Sequence, residues 1–256
     1  MKKETLHLWC AYPDDLLDEG TADTCLRLLS EDELARWNAF RFERHRLEYL
    51  ATHALARTAL SHHSALQPAA LRFKLNAHGK PSVDQECGLR FNLSNSPGLV
   101  VCLIGESVEV GVDVEPQTRA KSIAEVGPSM FSPQELAQLE RLRDDQRPGR
   151  CLRLWTLKEA YSKARGMGLA LPLDRVSFLF DGREKIRMEL DSSLDDEPGR
   201  WRFSLLEHAD HCIALMVESS TAPGLVVWEV RFPSTVPQRL TPVNGPWFPA
   251  PLTEAP

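Results

Sequence analysis

The chain has 256 residues, room for one large domain or two small ones, and its 43% hydrophobic and 26% charged residues are ordinary for a soluble globular protein. A net charge of −6 and a pI near 5.8 argue against a general nucleic-acid binder. The longest apolar runs, such as GLVVCLIG, fall far short of a membrane span, and the six cysteines are scattered without a C-x-x-C.

The first residues, MKKETLHLWCAY, hold two lysines but no long apolar core and no small-residue cleavage site, so no signal peptide is expected. With the cysteine usage this predicts a reduced, cytoplasmic chain. LHLWCAY (6–12) reads as the first strand. A helical stretch follows from Ser30 to about His63, opened by SEDE as a capping box with Ser30 as cap and Glu33 three residues on. LRFKL (71–75), LRFNLS (89–94), GLVVCLIG (98–105) and EVGVDVE (109–115) read as strands separated by Gly, Asn, Pro and Asp. SPQELAQLERLRDD (132–145) starts a helix, with Ser132 as cap and Pro133 in the first turn. CLRLWTLKEAYSKARGMG (151–168) is another, ended by glycines. RVSFLF, KIRMEL, WRFSLLEH, CIALMVE and GLVVWEVRF are strand-like. HADHC (208–212) lacks zinc-ligand spacing and reads as strand or turn.

Helix followed by strands thus occurs twice, on either side of about residue 117. The expected fold is α+β, two similar α/β halves over residues 1–117 and 118–232. A Pro-rich tail, 233–256, is expected to be extended and pinned by Trp247 and Phe248.

Within GVDVE, Asp113 and Glu115 share one strand face and Val112 and Val114 the other. Two same-face carboxylates suit either a solvated face or a hard cation such as Mg²⁺. On the later helix, Trp155, Glu159 and Lys163 are four apart and share a face. Alone, that Glu–Lys pair is an ordinary surface pair of about 0.3–0.5 kcal/mol.

The two motifs together resemble the 4′-phosphopantetheinyl transferases of the surfactin-synthetase-activating type. That family's G-[IV]-D-[IV]-E strand stands here as Gly111–Glu115. Its W-[ST]-x-K-E-[AS]-x-x-K helix stands as Trp155–Lys163. GKP is present as Gly79–Pro81, and F-N-[IL]-S-H-S appears as FNLSNS (91–96), with Asn95 where His is usual. The resemblance in element order runs from about residue 5 to 220 and leaves out the tail.

The resemblance implies a pseudo-twofold monomer with coenzyme A in a cleft between the halves. It implies transfer of phosphopantetheine to a serine of an apo acyl or peptidyl carrier protein. Asp113, Glu115 and Glu159 would then hold Mg²⁺, with Glu159 also taking the serine proton and Lys163 neutralising phosphate. Lys158 is a weaker candidate, since a neighbouring helical residue points elsewhere. Lys80, Ser94 and Asn95 would contact the nucleotide. Among Arg36, Arg41, Arg44, Arg46 and Arg57, Arg41 is preferred for the 3′-phosphate because it precedes Phe42 at the family's RF position. Arg141, Arg143, Arg147, Arg150 and Arg153 form a second basic run that would suit an acidic carrier or a solvated face. Two other readings are a coenzyme A- or carrier-binding member without activity, and another Mg²⁺-dependent phosphoester enzyme. No G-x-S-x-G, P-loop or dinucleotide glycine motif is present.

Overall fold

The computed structural model describes residues 4–181, 185–234, 236–240 and 247–249. In chain order the first elements are β1 (Thr5–Ala11), α1 (Glu19–Leu26), α2 (Glu31–Ala39) and α3 (Glu43–His62). The strands β2 (Phe73–Leu75), β3 (Pro81–Val83), β4 (Leu89–Ser96), β5 (Leu99–Glu106) and β6 (Val110–Pro116) follow. Then come α4 (Ala120–Val126), α5 (Pro133–Glu140) and α6 (Arg147–Arg165). The last strands are β7 (Val176–Asp181), β8 (Lys185–Leu190), β9 (Trp201–His208), β10 (His211–Glu218), β11 (Gly224–Val230), β12 (Gln238–Arg239) and β13 (Phe248–Pro249).

The architecture is mixed α+β. Of the two larger sheets, the first has the order β12-β11-β1-β5-β4 and the second β13-β9-β10-β6, while β2-β3 and β7-β8 each form a two-stranded sheet. Strands β1, β5 and β10 are largely apolar because both of their faces are covered, and β6 is buried throughout although it carries Asp113 and Glu115. On β5, Leu99, Val101 and Leu103 meet Val112 and Val114 of β6 in a central layer between the sheets. Val100, Cys102 and Ile104 point the other way, onto α3 residues such as Leu50 and Leu55. On β10, Ile213, Leu215 and Val217 join the central layer, whereas Cys212, Ala214 and Met216 face α6. The order of layers is therefore helix, sheet, sheet, helix.

Local signals act as their chemistry dictates. Both capping boxes form, Ser30 with Glu33 and Ser132 with Glu135. Gly166, at φ +62°, ends α6 in the left-handed conformation that glycine adopts without strain. HADHC is a hairpin turn, with Ala209 and Asp210 at φ +47° and +59° between β9 and β10. All six cysteines are free thiols.

The single helix expected from Ser30 to His63 is two, broken at 40–42. α1, α4 and the short β3 were not expected. The boundary expected at residue 117 does not follow the sheets: β6 pairs with β10 in the second sheet, and β11 pairs in parallel with β1 in the first. Chain neighbourhood did not decide this; each strand went to the sheet whose apolar face it completes. In the tail, β12 extends β11, Phe248 pairs with Phe203 of β9, and Trp247 packs on the central layer. The rest of the expected tail, at 235, 241–246 and 250–256, lies outside the described residues.

Candidate active site

The two sheets meet at their edges, where β4 of the first runs beside β6 of the second. An edge strand leaves backbone N–H groups without ladder partners. Here side chains supply them. The Val112 amide donates to Asn92 Oδ1 at 2.9 Å, and the Val114 amide to Ser94 Oγ at 3.3 Å. All seven residues of β6 are buried, so its acids do not lie on a solvated face.

Gly111, Asp113 and Glu115 face α6. A Cβ on Gly111 would lie 2.1 Å from the Ala160 carbonyl oxygen and 2.5 Å from the Ala164 nitrogen. Strand and helix backbones touch there, and only glycine fits. That approach lays the 155/159/163 face of α6 over the two acids. Lys163 Nζ lies 2.6 Å from Asp113 Oδ1 and 2.8 Å from Ser94 Oγ. Ser94 Oγ in turn donates to Asp113 Oδ1 at 3.0 Å. Trp155 Nε1 donates to Glu115 Oε1 at 3.0 Å. Arg119, just after β6, places Nη1 at 2.7 Å from each oxygen of Glu115.

Three carboxylates in one buried junction repel. Burial, then the charge of Asp113, pushes the Glu115 carboxyl upward, against Arg119 and Trp155. Burial, then Asp113, raises Glu159 as well, with Lys163 opposing. Among the described residues, Asp113 Oδ2 is buried and accepts no hydrogen bond. Hard oxygens, surplus negative charge and an orphaned buried acceptor together fit a hard divalent cation. The acids are not drawn together as a ready-made cage: among the described residues no three such side chains converge closely enough to hold a metal. Lys163 and Arg119 occupy the carboxylates of Asp113 and Glu115 instead.

Several expected residues are placed otherwise. Lys80 Nζ donates to Glu109 Oε2 at 2.8 Å, the Val110 carbonyl at 3.1 Å and the Ala164 carbonyl at 2.8 Å. These three bonds tie the β2–β3 turn to β6 and α6. Ser94 and Asn95, expected to act together, point to opposite faces of β4, as neighbours on a strand must. Ser94 is in the acidic cluster, while Asn95 is exposed on the face shared with Phe91 and Leu93. Arg41 is exposed in the break between α2 and α3. The arginines that line the neighbouring cavity are Arg36, Arg57 and Arg72. That cavity, about 680 Å³, runs from the start of α2 past His53 of α3 to Gly79, Phe91 and Leu93. Arg57 is itself buried and tied to Glu33 and to the carbonyls of Pro68 and Leu71.

Lys158 points away from the cluster. It is fully buried, 2.7 Å from Glu135, and donates to the carbonyls of Leu173 and Val176. Most of the second basic run is engaged within the molecule. Arg143 pairs with Asp145, Arg147 caps carbonyls at the end of α5, Arg150 stacks on Phe180 and Arg153 pairs with Glu207. Sequence reasoning missed Arg119 and the contact of Trp155. The four-residue spacing of Trp155 from Glu159 was visible, but nothing local to Arg119 marks it.

Acids and a lysine brought together from opposed elements form the kind of site that acts on phosphate esters by charge neutralisation. A model of the 4′-phosphopantetheinyl transferase superfamily matches residues 109–216, the span from β6 to β10 that contains Asp113, Glu115, Glu159 and Lys163. The 4′-phosphopantetheinyl transferase HetI of Nostoc sp. is 30% identical over 232 residues, covering 90% of this chain and 92% of that protein. The transferase Sfp of Bacillus subtilis is 26% identical over 188 residues, covering 73% and 83%. A solved holo-(acyl-carrier-protein) synthase of Bacillus anthracis, in complex with CoA (3′,5′-ADP), is 19% identical, with 44% of this chain and 98% of that chain covered and a TM-score of 0.38. The chain belongs to the 4′-phosphopantetheinyl transferase superfamily.

Proposed function

We propose that the chain transfers 4′-phosphopantetheine from coenzyme A to a serine of an apo acyl or peptidyl carrier protein, releasing adenosine 3′,5′-bisphosphate. The observation that carries the assignment of the site is the meeting of Lys163 with Asp113 and Ser94 across the strand–helix junction.

In this reading Lys163 and Ser94 position and neutralise the pyrophosphate, and Glu159 takes the proton as the carrier serine attacks phosphorus. The bond from that phosphorus to the bridging oxygen breaks, and the nucleotide carries the bridging oxygen away. Asp113, Glu115 and Glu159 would hold Mg²⁺, which when bound supplies Lewis-acid polarisation of the pyrophosphate. Coenzyme A would lie along β4, its nucleotide in the cavity beside Arg36, His53 and Arg72 and its pyrophosphate near Ser94. Asn95, on the cavity face of β4, would offer a neutral hydrogen bond where the family has histidine.

The same reading makes the protein a cytoplasmic monomer of two pseudo-twofold halves. The first would contain α3 and the sheet of β1, β4, β5 and β11. The second would contain α6 and the sheet of β6, β9 and β10. Among the described residues no helix is long and apolar enough to cross a membrane. Incubation with coenzyme A, Mg²⁺ and a panel of apo carrier proteins tests the proposal by mass spectrometry. The expected result is a phosphopantetheine mass gain on a carrier serine. Coenzyme A binding with no modified carrier in the panel would favour a member without activity.

A further inference from the structure

Arg119 sits on Glu115 in an unusual way. A guanidinium commonly meets a carboxylate as a fork, with two nitrogens against two oxygens. Here the one nitrogen Nη1 lies 2.7 Å from Oε1 and 2.7 Å from Oε2. It straddles the carboxylate at the seat that a cation held through both oxygens would take. Trp155 Nε1 fixes Oε1 from α6, so the carboxylate is oriented independently of the arginine.

The two internal cations of the cluster differ in how firmly they are held. Lys163 is 28% exposed and is bonded to Ser94 as well as Asp113. Arg119 is 47% exposed and rises from the short turn Gln117–Arg119 between β6 and α4. With its guanidinium already about half in solvent, the arginine can pass into water once another cation takes its place on Glu115. Glu115, only 7% exposed and beside Asp113, is costly to leave charged without a positive partner.

We propose that Arg119 is the resident counter-ion of Glu115, present when no divalent cation is bound and displaced into solvent when one binds. It therefore keeps the acidic strand folded in the metal-free protein and competes with the metal. The inference rests on the reading of Asp113, Glu115 and Glu159 as a cation site.

The test uses Mn²⁺ as the probe, followed by its paramagnetic resonance signal without coenzyme A, in the parent protein, R119Q and R119K. R119Q is expected to bind Mn²⁺ about fivefold tighter or more, a competitor having been removed, with R119K closer to the parent. Melting in EDTA is expected to be lower for R119Q, and saturating Mn²⁺ to close the gap. Should R119Q be unfolded without metal, its refolding by Mn²⁺ supports the same conclusion. Equal or weaker Mn²⁺ binding by R119Q overturns the role given to Arg119 and leaves the cation site standing. Absence of Mn²⁺ binding by all three proteins, with Mn²⁺ binding appearing once coenzyme A is added, overturns this role and leaves the cation site standing; absence in both conditions overturns the cation site as well.

Discussion

Lys163 Nζ and Asp113 Oδ1 lie 2.6 Å apart, although 50 residues of chain separate them and they stand on a helix and a strand. The pair joins the face of α6 that carries Glu159 to the acidic face of β6. Lys163→Ala is expected to slow transfer by about a hundredfold or more, the usual scale for removing one charge-stabilising donor. Single-turnover kinetics with saturating coenzyme A would measure it, and a loss confined to KM would contradict it.

EDTA is expected to abolish transfer and Mg²⁺ to restore it. Asp113→Ala is expected to remain inactive at any Mg²⁺ concentration, because the carboxylate that carries the orphaned Oδ2 is gone. Full activity of Asp113→Ala in metal-free buffer would sink the metal assignment.

Gly111→Ala puts a methyl group where Ala160 and Ala164 already lie, and backbone cannot move aside as a flexible side chain can. A cost of at least about 1–3 kcal/mol is expected from such overpacking, together with loss of activity as α6 is pushed off the acids. Urea unfolding and a transfer assay on the same preparation would measure both. An unchanged midpoint would show that the contact is not tight.

Lys158 stands one residue from Glu159, yet Lys158→Met is expected to act on stability. Both side chains of the Lys158–Glu135 pair are fully buried, so removing the lysine strands a carboxylate in the core, at about 3–5 kcal/mol. Denaturant titration should show the loss. Normal stability with lost turnover would return Lys158 to the chemistry.

Acid sensitivity is expected from His63. Its Nε2 accepts from the Trp9 indole, and its ring lies 4.1 Å from that of His7. Burial, then the neighbouring His7 and His62, pushes its pKa from 6.5 down to about 4. The unfolded chain therefore takes up this proton more readily than the folded one. The contribution to stability is complete above pH 6.5 and is lost as pH falls toward 4. His63→Gln keeps an acceptor without a titration, so its melting temperature should fall less than the parent's over that window. Parallel curves would remove His63 as the cause.

Much of this protein was legible in one dimension. Ser30 and Ser132 announced their helices, because a cap is satisfied within four residues. The alternation of Val112 and Val114 with Asp113 and Glu115 placed the acids on one face of β6, because a strand's period is a local property. The i, i+4 spacing gave Trp155, Glu159 and Lys163 one face of α6 for the same reason.

Tertiary structure alone decided what those faces meet. That Gly111 is a contact point with Ala160, that Lys80 is occupied by three acceptors, and that Lys158 lies in the core all depend on elements far apart in the chain. The allocation of β6 and β11 across the expected boundary is of the same kind, since sheets are completed by whichever apolar face fits. Arg119 carries no local mark at all. Its role follows from Glu115 being buried beside Asp113, and burial is a property of the folded whole, where desolvation forces each charge to find a partner wherever the chain supplies one.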